Sequence, residues 1–183
     1  NMKPHFPLLC ACTLLIAAAA SADDRVGLTT DQAHTLVKKQ PQAVLFLDVR
    51  DPVEIMFTGF TDLVDRNVPF LLVDRTRWDE QKQAFQMDRN PNFVAEVDAA
   101  LEDKGLDRTA TVITMCRSGS SRGMPSAAFL RENGFPNATY IVHGFQGDRV
   151  KEGPQKGRRV KNGWVNDGLP WSAKANPAKL YRP

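Results

Sequence analysis

Histidine and cysteine are scarce in this sequence of 183 residues, which contains three of each. A structural zinc site needs four nitrogen or sulfur ligands, and removal of the N-terminal segment described below would leave only His34, His143 and Cys116, so we predict no metal and no other cofactor. The sequence has no internal repeat and no low-complexity tract, so it does not encode a repeat protein. Aromatic residues do not interleave with base-reading side chains, so we expect no nucleic-acid partner.

Apolar runs long enough to cross a membrane are also lacking. The longest run, residues 8–20, follows a short basic head at residues 2–5 and ends in the small residues 20–22. This pattern predicts a secretory signal peptide over residues 2–22, cut after Ala22, because the run is too short and wrongly flanked for a transmembrane helix. We therefore expect an exported protein without a membrane span, and the bacterial periplasm is the expected compartment.

Removal of that segment would leave Cys116 as the single cysteine, because Cys10 and Cys12 lie within it. A lipoprotein signal ending at Cys12 is an alternative, which we disfavour because the apolar run continues well beyond that residue. A lone cysteine cannot form an internal disulfide, and in an oxidising compartment an exposed thiol is a liability unless it has a use. This favours a catalytic role for Cys116.

Charge is unevenly distributed along the rest of the chain. Residues 23–148 contain 14 lysines and arginines against 19 acidic residues, whereas residues 149–183 contain 9 against 2. A hydrophobic content of 42% suits one globular domain. We predict that residues 149–183 form a basic extension that packs on this domain through Trp164 and Trp171. The basic charge indicates an acidic protein partner, a membrane surface, steering of small anions, or only a solvated extension.

Strand patterns alternate with helix patterns along the domain. This order predicts an α/β fold with a mostly parallel central sheet and helices on both faces. The predicted strands are residues 43–47, 66–73, 111–115 and 139–142, and the predicted helices are a segment capped by residues 29–31 and stopped by Pro41, a segment from Pro91 to Gly105, and residues 126–131, which end at Asn133-Gly134. Residues 74–89 are polar and predict a loop with one helical turn or more.

The candidate nucleophile, Cys116, lies between the predicted strand 111–115 and the helix 126–131. Backbone N–H groups at such a junction point into open space, where they stabilise a thiolate or a bound oxyanion. Helix N-termini and arginines can lower a cysteine pKa from about 8.5 to roughly 3.5–7.5. We therefore expect Cys116 to be an ionised nucleophile.

The residues that follow Cys116 have the chemistry of an anion cradle. Gly119 allows several amides to converge, and Arg117 and Arg122 add forked, permanently charged donors. Small hydroxyl donors complete the predicted substrate-binding loop: Ser118, Ser120 and Ser121. The alternative is a buried strand-end cysteine beside a solvated serine-rich turn.

Polar residues also follow the strand 43–47. Two roles are open for these residues, which are Asp48, Arg50 and Glu54. One role is catalytic, because they lie where open α/β sheets bind ligands. The other role, which we favour, is structural: Arg50 pairs with Glu54 or Asp48 and fixes the loop. His143 precedes a glycine-rich loop and either assists proton transfer or is a hydrogen-bonded structural residue, which we favour.

Four segments resemble the rhodanese-like domain family: residues 48–54 (DVRDPVE), 67–69 (NVP), 116–119 (CRSG) and 144–147 (GFQG). The resemblance implies a rhodanese-like three-layer sandwich over residues 28–148. It also implies that Cys116 accepts sulfane sulfur from a small sulfur oxyanion donor, as a persulfide, and passes it to a thiol or to cyanide. The amides of residues 117–122 would form the cradle.

The loop departs from the commoner sulfurtransferase pattern in one respect. Five residues separate Cys116 from Arg122, whereas the usual C-R-S-G-x-R loop has four. The longer spacing is similar to rhodanese-fold phosphatases and arsenate reductases, although these usually carry His before Cys and this sequence has Met115. We predict a sulfurtransferase of the thiosulfate type. The alternatives are a phosphatase or arsenate reductase on the same cysteine, and an inactive rhodanese-like binding module.

Overall fold

The computed structural model of the protein describes residues 27–183. The signal peptide predicted for residues 2–22 lies outside the described residues, as do Cys10 and Cys12. Within the described part of the chain, no helix is long and apolar enough to span a bilayer.

The central sheet of the described residues has four parallel strands. Its two central strands, β1 (Val44–Asp48) and β5 (Thr111–Met115), pair along their whole length. The short strand β2 (Arg66–Asn67) flanks β1, and the short strand β6 (Ala138–Tyr140) flanks β5, so the strand order is β2-β1-β5-β6. The predicted parallel α/β sheet is therefore confirmed, and the carboxyl ends of all four strands lie along one edge, where ligands bind in such sheets.

Among the described residues, helix α1 (Thr30–Lys39) precedes β1, and three helices lie between strands: α2 (Pro52–Thr58), α3 (Phe93–Asp103) and α4 (Gly123–Glu132). Helix α1 begins as predicted, because Thr29 accepts a hydrogen bond from the Gln32 amide and the Gln32 side chain accepts one from the Thr29 amide. Helix α3 begins two residues after the predicted start at Pro91. The reason is that Asn90 is buried and its side chain donates to the carbonyl of Pro69, which holds the segment in a turn before the helix.

The two faces of the sheet have separate hydrophobic cores. On strand β1, Leu45 and Leu47 point to one face, where they pack with α3 and α4, and Val44 and Phe46 point to the other, where they pack with α1 and α2. All four side chains are at most 2% exposed. Helices therefore cover both faces, as predicted, which explains why residues 44–47 of β1 are all apolar.

Residues 66–89 differ from their prediction. The single strand predicted over residues 66–73 is two, because the chain leaves the sheet after β2 and enters β3 (Leu71–Asp79). The loop with a helical turn predicted for residues 74–89 is wrong: β3 and β4 (Ala84–Arg89) form an antiparallel hairpin. Its faces are largely exposed, so the sequence lacks the alternation of apolar and polar residues that marks a half-buried strand.

Residues 149–183 lie against the face of the sheet that carries α1 and α2. Trp164 is fully buried there, its ring centroid 5.5 Å from that of Phe46, and its indole N–H donates to the carbonyl of Pro170 at 2.9 Å. Backbone hydrogen bonds also join Phe60 to Ser172 in both directions. The extension thus contributes to the core, whereas Trp171 remains 46% exposed.

Candidate active site

The end of strand β5 places Cys116 beside the end of strand β1. Asp48, the last residue of β1, pairs with Met115, and the Val49 amide donates to the Met115 carbonyl at 2.9 Å. On the other side, the Thr114 hydroxyl donates to the carbonyl of Gly123 at 2.9 Å, which fixes the first residue of α4 against the strand. The loop between Cys116 and α4 is therefore anchored at both ends.

The sulfur atom of Cys116 lies inside this loop. The amide of Gly119 donates a hydrogen bond to Sγ at 3.2 Å, and a Cβ atom placed on Gly123 would lie 3.6 Å from Sγ. No side chain caps the N-terminus of α4, which begins at Gly123. A backbone N–H and the N-terminus of a ten-residue helix thus lie next to the sulfur, and groups of this kind stabilise negative charge near them.

Cys116 is 0% exposed, so its sulfur is not reachable from solvent in this structure, and in this respect the site matches the alternative of a buried strand-end cysteine. The loop at residues 144–147 packs against it. A Cβ atom on Gly144 would lie 2.3 Å from the Cys116 carbonyl oxygen, and the Phe145 amide donates to that oxygen at 2.8 Å. Gly119 is equally confined, since its φ is 84° and a Cβ atom would lie 1.8 Å from the Val142 carbonyl oxygen. Only glycine fits this position.

Arg122, predicted to bind substrate, forms a bidentate ion pair with Glu54 of helix α2. The two hydrogen bonds measure 2.6 and 2.9 Å, and the side chains are 8% and 19% exposed. Burial would raise the pKa of Glu54, but the hydrogen bond and charge of Arg122, with weaker contributions from Arg50 and Arg117, hold that pKa below its usual value. Burial would likewise lower the pKa of Arg122, but Glu54 and then the negative charge of Cys116 hold it above its usual value. Arg122 therefore lies within electrostatic reach of the sulfur while its guanidinium is occupied.

Arg50 pairs with Asp48 and not with Glu54. Both side chains are 0% exposed, and Arg50 also donates to the Thr58 hydroxyl and to the Gly59 carbonyl. Its guanidinium carbon lies 4.1 Å from the centre of the Phe145 ring. The structural role favoured for this pair agrees with these contacts, because they tie the end of β1 to helix α2 and to the loop beside Cys116.

The remaining predicted loop residues differ in position. Arg117 is half-buried and its Nε donates to the Gln146 side chain at 2.8 Å. Ser118 is half-buried, whereas Ser120 and Ser121 are exposed, so the structure does not gather the three hydroxyl groups around the sulfur. His143 Nδ1 lies 3.1 Å from a carboxylate oxygen of Asp148, a contact of the kind expected for a structural histidine.

The sequence model of the rhodanese-like domain matches residues 29–148. The chain belongs to this family. The match covers the whole central sheet, helices α1 to α4 and the Cys116 loop, and it ends where the C-terminal extension begins. No curated protein sequence matches the chain.

Several solved structures are similar to this chain. The chain is 28% identical to Rv0390 from M. tuberculosis, with a TM-score of 0.57 and coverage of 80% of this chain and 96% of that one. It is 18% identical to a rhodanese-related protein from Thermoplasma volcanium, with a TM-score of 0.43 and coverage of 81% and 98%. It is 21% identical to RPA3614 from Rhodopseudomonas palustris, described as a possible tyrosine phosphatase, with a TM-score of 0.40 and coverage of 64% and 74%.

Two contacts at this rhodanese-like site, one made by Glu54 and one by Arg159, are not predicted by the sequence. Glu54 was considered as a partner of Arg50, but it pairs with Arg122, which is 68 residues away along the chain. Arg159 of the extension was not considered; its Nη1 donates to the carbonyl of Gly147, beside the Cys116 loop. Neither contact has a local sequence signal, because both join segments that are distant in sequence.

Proposed function

We propose that this protein is a sulfurtransferase that carries sulfane sulfur as a persulfide on Cys116. The observation that carries the proposal is the hydrogen bond from the Gly119 amide to Sγ, in a loop that ends at the N-terminus of α4. These groups stabilise negative charge on the thiolate, and they are equally suited to a persulfide anion. Membership of the rhodanese-like family supports the same chemistry.

The proposed reaction has two displacements at sulfur. In the first, the Cys116 thiolate attacks the outer sulfur of a thiosulfate-like donor; the donor S–S bond breaks, and sulfite leaves with its electron pair. In the second, cyanide or a thiolate attacks the outer sulfur of the persulfide. The persulfide S–S bond breaks, the Cys116 thiolate is regenerated, and the product is thiocyanate or a new persulfide. No external oxidant or reductant is needed.

The enclosed position of Sγ adds one step to this scheme. A donor reaches the sulfur only after the Cys116 loop or the adjacent loop at residues 144–147 moves. The fully buried pair of Asp48 and Arg50 holds the strand end in place during such a movement, so we expect the two loops to open while the sheet stays fixed. The signal peptide predicted for residues 2–22 would place this activity outside the cytoplasm.

The test is a measurement of intact mass after incubation of the purified protein with thiosulfate. We expect one added sulfur atom, which cyanide removes as thiocyanate, and neither adduct nor thiocyanate in Cys116→Ser. Ser is the matched control because it has nearly the shape of Cys but cannot form a persulfide. Absence of both the adduct and thiocyanate in the wild-type protein would contradict the proposal.

The spacing of five residues between Cys116 and Arg122 favours a second candidate, oxyanion chemistry of the phosphatase or arsenate reductase type. The ion pair with Glu54 weighs against it, because it uses two of the five N–H donors of Arg122 and offsets the positive charge that would attract a tetrahedral anion. Turnover of a chromogenic phosphate ester that is lost in Cys116→Ser would favour this candidate. If neither activity appears while sulfate still protects the protein against unfolding, the chain is a binding module.

A further inference from the structure

The arginine that completes the Cys116 loop does not supply free positive charge. Glu54 neutralises Arg122 through two hydrogen bonds in a largely buried ion pair. A donor such as thiosulfate carries two negative charges, so its recognition requires cations other than Arg122. Two arginines near the loop donate hydrogen bonds to neutral groups instead, with Asp148 and Glu54 within electrostatic reach of Arg159.

These two arginines share the turn at residues 146–147. Arg117 donates from Nε to the Gln146 side chain at 2.8 Å, and its carbonyl accepts hydrogen bonds from the Gln146 and Gly147 amides at 2.9 and 3.1 Å. From the C-terminal extension, Arg159 Nη1 donates to the carbonyl of Gly147. The same two-residue turn therefore holds one arginine of the Cys116 loop and one arginine of the extension.

One side-chain nitrogen of Arg159 lacks a hydrogen-bond partner. Its Nε is shielded from water, yet it has no hydrogen-bond partner, which is rare for a buried donor. Burial and then the positive charges of Arg117 and Arg149 lower its pKa below the usual value, against the opposing charges of Asp148 and Glu54. A bound anion beside the guanidinium groups would offset the repulsion between them, and a shift of the Arg159 side chain would let its Nε donate to that anion.

A basic groove lies close to the segment that carries Arg159. It is lined by residues 148–151 and by Lys161, which is two residues along the chain from Arg159. Two backbone hydrogen bonds join Val150 in the groove wall to residues 157 and 158. The groove therefore has three basic residues against one acidic residue, and the backbone just before Arg159 is held against its wall.

We propose that Arg117 and Arg159 form an anion-binding site next to the Cys116 loop, and that this site selects doubly charged sulfur oxyanions as donors. The inference rests on the proposed sulfur transfer at Cys116, and it adds a residue that lies beyond the family match, which ends at residue 148. The extension thereby determines donor specificity. A singly charged donor, such as an organic thiosulfonate, gains less from the site because it presents one negative charge to the two guanidinium groups.

The test compares Arg159→Gln with Arg158→Gln in the purified protein. Arg158 is exposed, and its substitution removes the same charge from the adjacent position. Loss of a charge-assisted hydrogen bond predicts that Arg159→Gln raises the KM for thiosulfate about tenfold. The kcat stays within about twofold of wild type, because the sulfur and its loop are unchanged. We expect a smaller rise in KM for benzenethiosulfonate, and little change for either donor in Arg158→Gln.

A variant that keeps the charge, Arg159→Lys, distinguishes loss of charge from a structural effect of the substitution. Arg159→Lys keeps the charge, so we expect it to recover much of the lost thiosulfate affinity at an unchanged melting temperature. The proposal is overturned if Arg159→Lys matches Arg159→Gln, or if Arg159→Gln matches Arg158→Gln. Equal rises in KM for the two donors would overturn the preference for doubly charged donors.

Binding of inorganic sulfate separates this inference from the proposed activity. Calorimetric titration with sulfate should show affinity weakened about tenfold in Arg159→Gln and unchanged in Arg158→Gln, whether or not the protein transfers sulfur. If the wild-type protein forms no persulfide but sulfate binding depends on Arg159, the anion site stands and the sulfurtransferase proposal fails. If persulfide forms but neither sulfate affinity nor thiosulfate KM depends on Arg159, the anion site fails alone.

Discussion

The ion pair between Glu54 and Arg122 offers a quantitative test of the site architecture. Glu54→Gln keeps the shape of the side chain and one oxygen acceptor but removes the charge. Breaking a fully buried pair costs about 3–5 kcal/mol, and an exposed pair contributes about 0–1 kcal/mol. Because these side chains are 8% and 19% exposed and glutamine retains one hydrogen bond, we expect Glu54→Gln to lower the free energy of unfolding by about 2–3 kcal/mol at pH 7.

The pH dependence of this loss follows from the pKa of Glu54. That pKa is lowered in the folded protein from a usual value of 4.5, so the ionised carboxylate stabilises the fold above about pH 4.5. The stabilisation is lost as the pH falls below 4.5 and through the folded pKa. In acid, the wild-type protein loses a stabilisation that Glu54→Gln lacks at every pH. The difference between their free energies of unfolding therefore becomes smaller towards pH 3.

Urea denaturation at a series of pH values measures this difference directly. The matched control is Asp103→Asn, which breaks the pair between Asp103 and Arg66, whose side chains are 61% and 42% exposed. We expect that control to cost at most about 1 kcal/mol at pH 7. Equal losses in the two variants, or a loss in Glu54→Gln that is the same at pH 7 and pH 3.5, would refute the reasoning.

Two substitutions test the loop and the extension. Gly119→Ala places a Cβ atom 1.8 Å from the Val142 carbonyl oxygen, so we expect it to abolish persulfide formation. It should also destabilise the protein more than Gly105→Ala, which costs about 1 kcal/mol because Gly105 has a φ of 67° but an added Cβ atom there meets nothing within 4 Å. Mass measurement and urea denaturation check this pair, and equal behaviour would contradict the confined loop. Trp164→Ala empties a fully buried site and should cost about 3–5 kcal/mol, whereas Trp171→Ala, at a position 46% exposed, should cost distinctly less. Similar losses of melting temperature in the two tryptophan variants would show that the extension does not depend on Trp164.

The sequence alone was sufficient for the elements whose signals are local. The apolar runs of β1 and β5 mark strands that are buried on both faces, and the capping box at Thr29 marks the start of α1. The position of Cys116 follows from the same reasoning, because a strand that ends before a helix places its last residue at the ligand-binding edge of the sheet. These features depend on residues that are neighbours in the chain.

The β3–β4 hairpin was missed because its stabilising contacts do not produce a periodic pattern. Trp78 and Phe85 pack edge to face across the hairpin, with ring centroids 5.2 Å apart, and Arg77 pairs with Asp88. The register shifts between Asp74 and Trp78, which interrupts any alternation along β3. Cross-strand pairs of this kind become visible only when the two strands are placed side by side.

Only the tertiary structure decided which groups of the site are enclosed and which are paired. Residue types and spacing identified the Cys116 loop, but they did not show that the sulfur is enclosed, that Arg122 is bound by Glu54, or that Arg159 reaches the same turn as Arg117. Each of these facts depends on segments brought together by burial of the two hydrophobic cores. Burial of apolar surface does not depend on which residues are neighbours in the sequence, so local patterns do not show which distant segments it brings together. Local sequence therefore determines which polar groups are present, and packing determines which of them are paired or enclosed.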